Sequence, residues 1–191
     1  MLKTLSTIEQ YLEGVNNCLS EIKEDEVRVI VDAIFDAYIS KHRVFILGNG
    51  GNASTASHFV CDLSKGTSIK GKTRLAVVGL TDNIALITAI SNDLGYVSVF
   101  KEQLMNLLQR DDVVIGISAS GCSPNVLVAI EFARSQGAYT IGICGFGGGK
   151  LCKLVDAAIV TSVNNYGQVE DTQMVLAHLI SLEVGRKVKG I

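Results

Sequence analysis

Residues 113–125 constrain the fold more than any other stretch. Val113, Val114 and Ile115 form a β-branched run of the kind that builds a buried strand. A loop follows with hydroxyls at Ser118, Ser120 and Ser123. Ser123 and Pro124 then open a helix, Ser as N-cap and Pro at the first helical position. Pro124 is the single proline among 191 residues, so this helix start is sharply punctuated. A helix start presents unpaired N–H groups and the positive end of the helix dipole; with three added hydroxyls it makes a cradle for a phosphate monoester. The same residues also suit an ordinary strand-to-helix turn. Two other motifs are excluded. Gly148, Gly149 and Lys150 are followed by Leu151, and Cys144 stands where a Walker A loop needs its first glycine. The run Gly116, Ser118, Ser120 lacks the final glycine of a nucleophile elbow.

A strand feeding a helix through a glycine- and serine-rich loop recurs along the chain. Strands are expected at 43–47, 75–80, 112–117, 140–144 and 157–160. Helices are expected at about 51–63, 83–90, 124–136 and 169–187. This alternation predicts an α/β domain with a parallel sheet covered on both faces and a ligand site outside the carboxyl ends of the strands. Before the first strand, residues from about 4 to 40 read as two helices broken near Glu24, Asp25 and Glu26. Ile8, Tyr11, Leu12, Val15 and Leu19 recur at helical spacing, as do Val27, Val31, Ile34 and Tyr38. This pair has no evident place in the sheet layers and is expected to pack on a neighbouring subunit. Residues 64–73 read as a flexible loop. The chain is therefore taken as one domain over 1–191, with oligomerisation helices at 1–40 and an α/β core at 41–191.

Composition closes off several functions. The chain is 48% apolar and 19% charged with a net charge of −2. No basic patch with interleaved aromatics is present, which argues against a nucleic-acid partner. No apolar run reaches membrane-spanning length, and the first ten residues lack the apolar core of a signal peptide. Five scattered cysteines without a Cys-x-x-Cys spacing fit free thiols in the cytoplasm.

Further polar residues stand out. Gly48, Gly50 and Ala53 match part of a dinucleotide fingerprint, but no acidic residue closes the second strand about 20 residues on. Asn49 and Asn52 around these glycines suit sugar hydroxyls. His58 and Asp62 lie one helical turn apart, which suits either two ligands of one metal ion or a hydrogen-bonded pair. His178 lies in an apolar stretch and reads by itself as a core histidine, and His42 as a surface one. Asn92 and Asp93 precede Gly95; they suit either a helix cap or sugar contacts.

Taken in order, Gly48–Ser54, His58, Ser91–Tyr96, Gly116–Asn125 and Gly147–Lys150 resemble the sugar isomerase (SIS) domain family, in its sedoheptulose 7-phosphate isomerase branch. The resemblance covers nearly the whole chain. It implies a five-stranded parallel sheet flanked by helices and a homotetramer with active sites shared between subunits. It implies that Ser118, Ala119, Ser120 and Ser123 form the phosphate loop. Asn49, Gly50, Gly51, Asn52, Asn92 and Asp93 map onto sugar-binding positions. It also implies one Zn²⁺ per subunit, with His58 and His178 on the first and last ligand positions. Asp62 stands where the family has Glu, and Glu170 where it has Gln.

The activity so implied is metal-assisted conversion of sedoheptulose 7-phosphate to a heptose 7-phosphate through an enediol, with Asp62 or Glu170 as base and His178 as acid. Alternatives are isomerisation of another phosphosugar and a non-catalytic phosphosugar-binding regulator. Retention of both histidines argues against the regulator.

Overall fold

The computed structural model describes residues 6–191. The expected start of the first helix near residue 4, and the reading of the extreme N-terminus as free of a signal peptide, concern in part residues outside that range. Five strands, β1 (Arg43–Gly48), β2 (Ala76–Gly79), β3 (Val113–Ser118), β4 (Tyr139–Cys144) and β5 (Ala157–Val160), form one parallel sheet in the order β2-β1-β3-β4-β5.

Strand alternation divides the core into two layers. On one face Val44, Ile46, Val113, Ile115, Ile117, Ile141 and Ile143 pack against α2 (Glu24–Ser40), α3 (Gly51–Gly66) and α8 (Tyr166–Lys189). On the other, Phe45, Leu47 and Val114 meet α5 (Val99–Leu107), α6 (Pro124–Ser135) and α7 (Leu151–Leu154). Burial of such side chains contributes about 1.5–3 kcal/mol each relative to exposure.

The second N-terminal helix departs from expectation. Val27, Ile30, Val31, Ile34 and Ala37 of α2 are buried in the same core as β1 and β3, so α2 is a layer of the domain itself. Its apolar stripe faces the sheet beside α8 and needs no neighbour to cover it. The preceding α1 (Thr7–Ser20) is begun by a capping box between Ser6 and Glu9, and buries only Cys18. The loop expected at 64–73 is shorter, because α3 continues to Gly66. Between α4 (Ile84–Leu94) and α5 a 3-10 turn spans Tyr96–Ser98.

β2 lies on one side of β1 and β3 on the other. The chain leaving β1 and the chain leaving β3 therefore diverge, and a crevice opens between them at the carboxyl ends. The expected phosphate loop and the expected sugar loop both emerge there.

Candidate active site

The loop after β3 is held from several directions. Gly121 N donates to Ser118 O at 3.1 Å, and Gly145 N donates to Ala119 O at 2.9 Å. Lys150 N and Leu151 N both donate to Gly121 O, at 3.0 and 2.9 Å. Gly121 sits at φ +61°, a conformation that favours glycine. The Ser123 hydroxyl does not cap α6; it lies 3.3 Å from the Ser118 hydroxyl. Ser120 Oγ accepts from Cys122 N at 3.2 Å. Two serine hydroxyls thus converge at the start of α6, with a third on the adjoining turn. That is an anion cradle of hydroxyls and a helix N-terminus.

The loop after β1 faces it. Gly50 adopts φ +58° as it opens α3. A side chain at Gly51 would collide with Glu170, whose Oε2 lies 2.3 Å from where a Cβ would stand. Glycine at 51 therefore gives the Glu170 carboxylate its place at the N-terminus of α3, where the helix dipole favours negative charge. Asn52 is buried, and its Oδ1 has no hydrogen-bond partner among the described residues.

The side chain of Asn49 is largely committed within the protein. Its Nδ2 donates to Asn125 Oδ1 at 2.8 Å, and its Oδ1 accepts from Asn125 Nδ2 at 2.9 Å and from Tyr96 Oη at 2.8 Å. Neither Asn125 nor Tyr96 stood out as a site residue in sequence, although both lie in the motif segments. For Asn125 the available signal was an amide at the second position of the helix that Pro124 opens; nothing in the sequence marked Tyr96. Asn92 and Asp93 lie exposed at the end of α4, with Asn92 Nδ2 donating to Asp93 Oδ1 at 2.8 Å. Gly95, at φ +87°, ends that helix.

Two turns further along α3 and α8 lies a second cluster. His58 Nε2 and His178 Nε2 are 2.9 Å apart, and Asp62 Oδ2 lies 3.3 Å from the first and 3.7 Å from the second. His178 is exposed, not in the core, because α8 turns Ala177 and Ile180 inward and leaves His178 and Leu179 outside. Ligands held at zinc distances in a tetrahedron would be about 3.3 Å apart. The three observed separations bracket that value, so the donor set fits a divalent ion with one or more open positions. Glu170 is not in this cluster. It precedes His178 by eight residues in one continuous helix, an axial rise of about 12 Å.

In the single chain the crevice is shallow. A hollow of about 70 Å³ is lined by Gly48, Asn49, Gly50, Thr81 and Tyr96 among others. A cleft of about 780 Å³ lies at the opposite ends of the strands, by Asp36, His42 and Tyr139, away from the two loops and the His58–Asp62–His178 cluster.

The SIS domain describes a family whose pattern matches residues 10–145. The phosphoheptose isomerase of Nitratiruptor sp. is 37% identical over 145 residues, spanning 76% of this chain and 77% of that protein. That of Citrifermentans bemidjiense is 33% identical over 162 residues, 84% of each chain. A solved structure of a phosphoheptose isomerase from Francisella tularensis shares the fold, with a TM-score of 0.82 at 21% identity over 95% of this chain and 100% of that one. The chain belongs to the SIS domain family, in its phosphoheptose isomerase branch.

Proposed function

We propose that the protein is an aldose–ketose isomerase that converts sedoheptulose 7-phosphate to a heptose 7-phosphate. The observation that carries this is the juxtaposition of two loops at the switch between β1 and β3: a hydroxyl-lined phosphate cradle on one, and a carboxylate seated on the other. The curated relatives are named for this activity.

Ser118, Ser120 and Ser123 hold the phosphate, and the chain of the sugar extends toward Gly50 and Gly51. Glu170 carries the proton between C1 and C2 through an enediol. Asp62 lies against two histidines, which leaves Glu170 as the carboxylate free to meet substrate. His178 serves the neighbouring oxygen as acid through Nδ1, since its Nε2 is the atom turned to His58 and Asp62. His58, Asp62 and His178 would hold Zn²⁺, which when bound supplies Lewis-acid stabilisation of negative charge on the substrate oxygens.

Glu170 and His178 stand about 12 Å apart along one helix. They cannot hold one ion from a single straight helix, and a site shared between protomers would bring them to adjacent atoms of one substrate. A homotetramer with shared sites, as the resemblance implies, accounts for this and for the shallow crevice of the single chain, and the five free cysteines suit the cytoplasm. Its assembly would use α1, whose Ile8 and Leu12 are 73% and 58% exposed.

The test is a panel of ketose and aldose phosphates assayed for interconversion, with metal analysis of the same preparation. Turnover of sedoheptulose 7-phosphate with about one divalent ion per chain is expected. A metal-free protein with full activity would overturn the metal assignment. Firm phosphosugar binding with no turnover would overturn the isomerase reading.

A further inference from the structure

The two halves of the site are tied together by one small hydrogen-bonded unit. Asn49 follows β1 and Asn125 is the second residue of α6. Their amides exchange two hydrogen bonds, of 2.8 and 2.9 Å. Each amide oxygen also accepts a second donor. Asn125 Oδ1 takes Val126 N at 3.0 Å, and Asn49 Oδ1 takes the Tyr96 hydroxyl at 2.8 Å. Both amide oxygens therefore have their two lone pairs occupied. Asn125 is buried, whereas Tyr96 is 55% exposed and reaches in from the 3-10 turn after α4.

From this we infer that Asn125 and Tyr96 are positioning residues that set the length of sugar phosphate the site accepts. The inference rests on the isomerase reading above. Strand pairing fixes the two loops only as far as Gly48 beside Ile117. Beyond that register, the Asn49–Asn125 pair is the side-chain link between the sugar loop and the helix that follows the phosphate cradle, and Tyr96 fixes its outer edge. A substrate anchored at its phosphate presents its carbonyl at a distance set by its carbon count. Each carbon of an extended chain adds about 1.3 Å. A misplacement of about 1 Å at the reacting atoms lowers rate by roughly a hundredfold. Discrimination between six- and seven-carbon substrates therefore needs the two loops held to within less than one carbon. The amide pair is short and reciprocal, with both oxygens fully used, and it supplies that rigidity. Glycine at 50 and 51 cannot supply it from within the sugar loop.

The experiment compares wild type, Tyr96→Phe, Asn125→Ala and the double variant for kcat/KM on seven-carbon and six-carbon ketose phosphates. Affinity for inorganic phosphate is measured alongside. Tyr96→Phe removes one hydroxyl from an exposed residue, so it remains informative even if Asn125→Ala does not fold. The expected result is a fall of roughly tenfold in the seven- to six-carbon ratio for Tyr96→Phe, the size of one well-made hydrogen bond. Phosphate affinity should stay within twofold of wild type. The double variant should be less than additive. A ratio unchanged while both substrates fall together would show a merely structural role and overturn the inference. If wild type turns over neither sugar, the isomerase reading fails. The same ratio is then read from the dissociation constants of the two sugar phosphates, where an unchanged value again overturns the inference.

Discussion

Replacing Gly121 with alanine tests whether the phosphate cradle depends on its backbone. A Cβ at this position would lie 2.0 Å from Gly148 O and 2.6 Å from Gly148 C. These are backbone atoms, which cannot swing aside as a side-chain tip can. The loop then has two responses. It stays and is overpacked, at about 1–3 kcal/mol. Or it withdraws and loses the bonds that Gly121 O accepts from Lys150 N and Leu151 N, a loss of similar size. Either response adds to the left-handed backbone term of about 1–2 kcal/mol for a residue with a Cβ. The total is about 2–5 kcal/mol, a large share of a typical domain stability of about 5–15 kcal/mol. Urea unfolding should show this loss, and calorimetric titration of the folded variant with phosphate should show weakened binding. A variant within about 0.5 kcal/mol of wild type and with unchanged phosphate affinity would refute the idea that the 147–149 turn braces the cradle.

Other outcomes follow from the same geometry. Ser120→Ala should weaken sugar-phosphate affinity by roughly 1.5–3 kcal/mol, the value of a hydrogen bond to a charged group, read by titration. Glu170→Gln should abolish turnover and leave metal content unchanged, whereas His178→Gln should lower both; a mild Glu170→Gln beside a severe Asp62→Asn would move the base to Asp62. Tyr11 donates to Asp171 at 2.8 Å, and this bond raises its phenol above the ordinary value. The folded chain thus holds that proton more tightly than the unfolded one. The associated stability is complete below the ordinary phenol value of about 10 and is lost as pH rises through the folded value. Tyr11→Phe should accordingly flatten the alkaline loss of stability in denaturation curves taken from pH 9 upward.

Much of this was legible in the sequence because local patterns and the fold agree. Val113–Ile115 and Val44–Leu47 are buried strands on either side of one seam, and Ser123 and Pro124 stand at the N-cap and first positions of α6, although the Ser123 hydroxyl turns to Ser118 and does not cap the helix. The α5 helix was not legible. Its buried residues, Val99, Phe100, Gln103 and Leu104, span fewer than two turns, too short for a periodic signal. His178 was ambiguous because an apolar run in sequence does not reveal which flank of α8 meets the sheet. The pairing of Asn49 with Asn125 joins residues 76 positions apart, and only the adjacency of β1 and β3 brings them together. Likewise, spacing alone shows that Glu170 and His178 are far apart on a helix, but not that Glu170 faces Gly51.

Ile90 is the one fully buried residue of the eleven-residue helix α4, with Leu86 and Ile87 partly buried against the same core. The strands that carry the two site loops are, by contrast, closed off from water along nearly their whole length. Amide hydrogens should therefore exchange on very different schedules across a few ångströms of the site. Those of β1 and β3 should wait for global unfolding, while those of α4 exchange through local opening of the single chain. Tyr96 follows α4 in the chain and bonds to Asn49 at the end of β1. When α4 opens, the outer edge of the Asn49 amide is released while the floor of the crevice stays in place. Binding of a sugar phosphate beside Tyr96 should therefore slow exchange in α4 far more than in the strands.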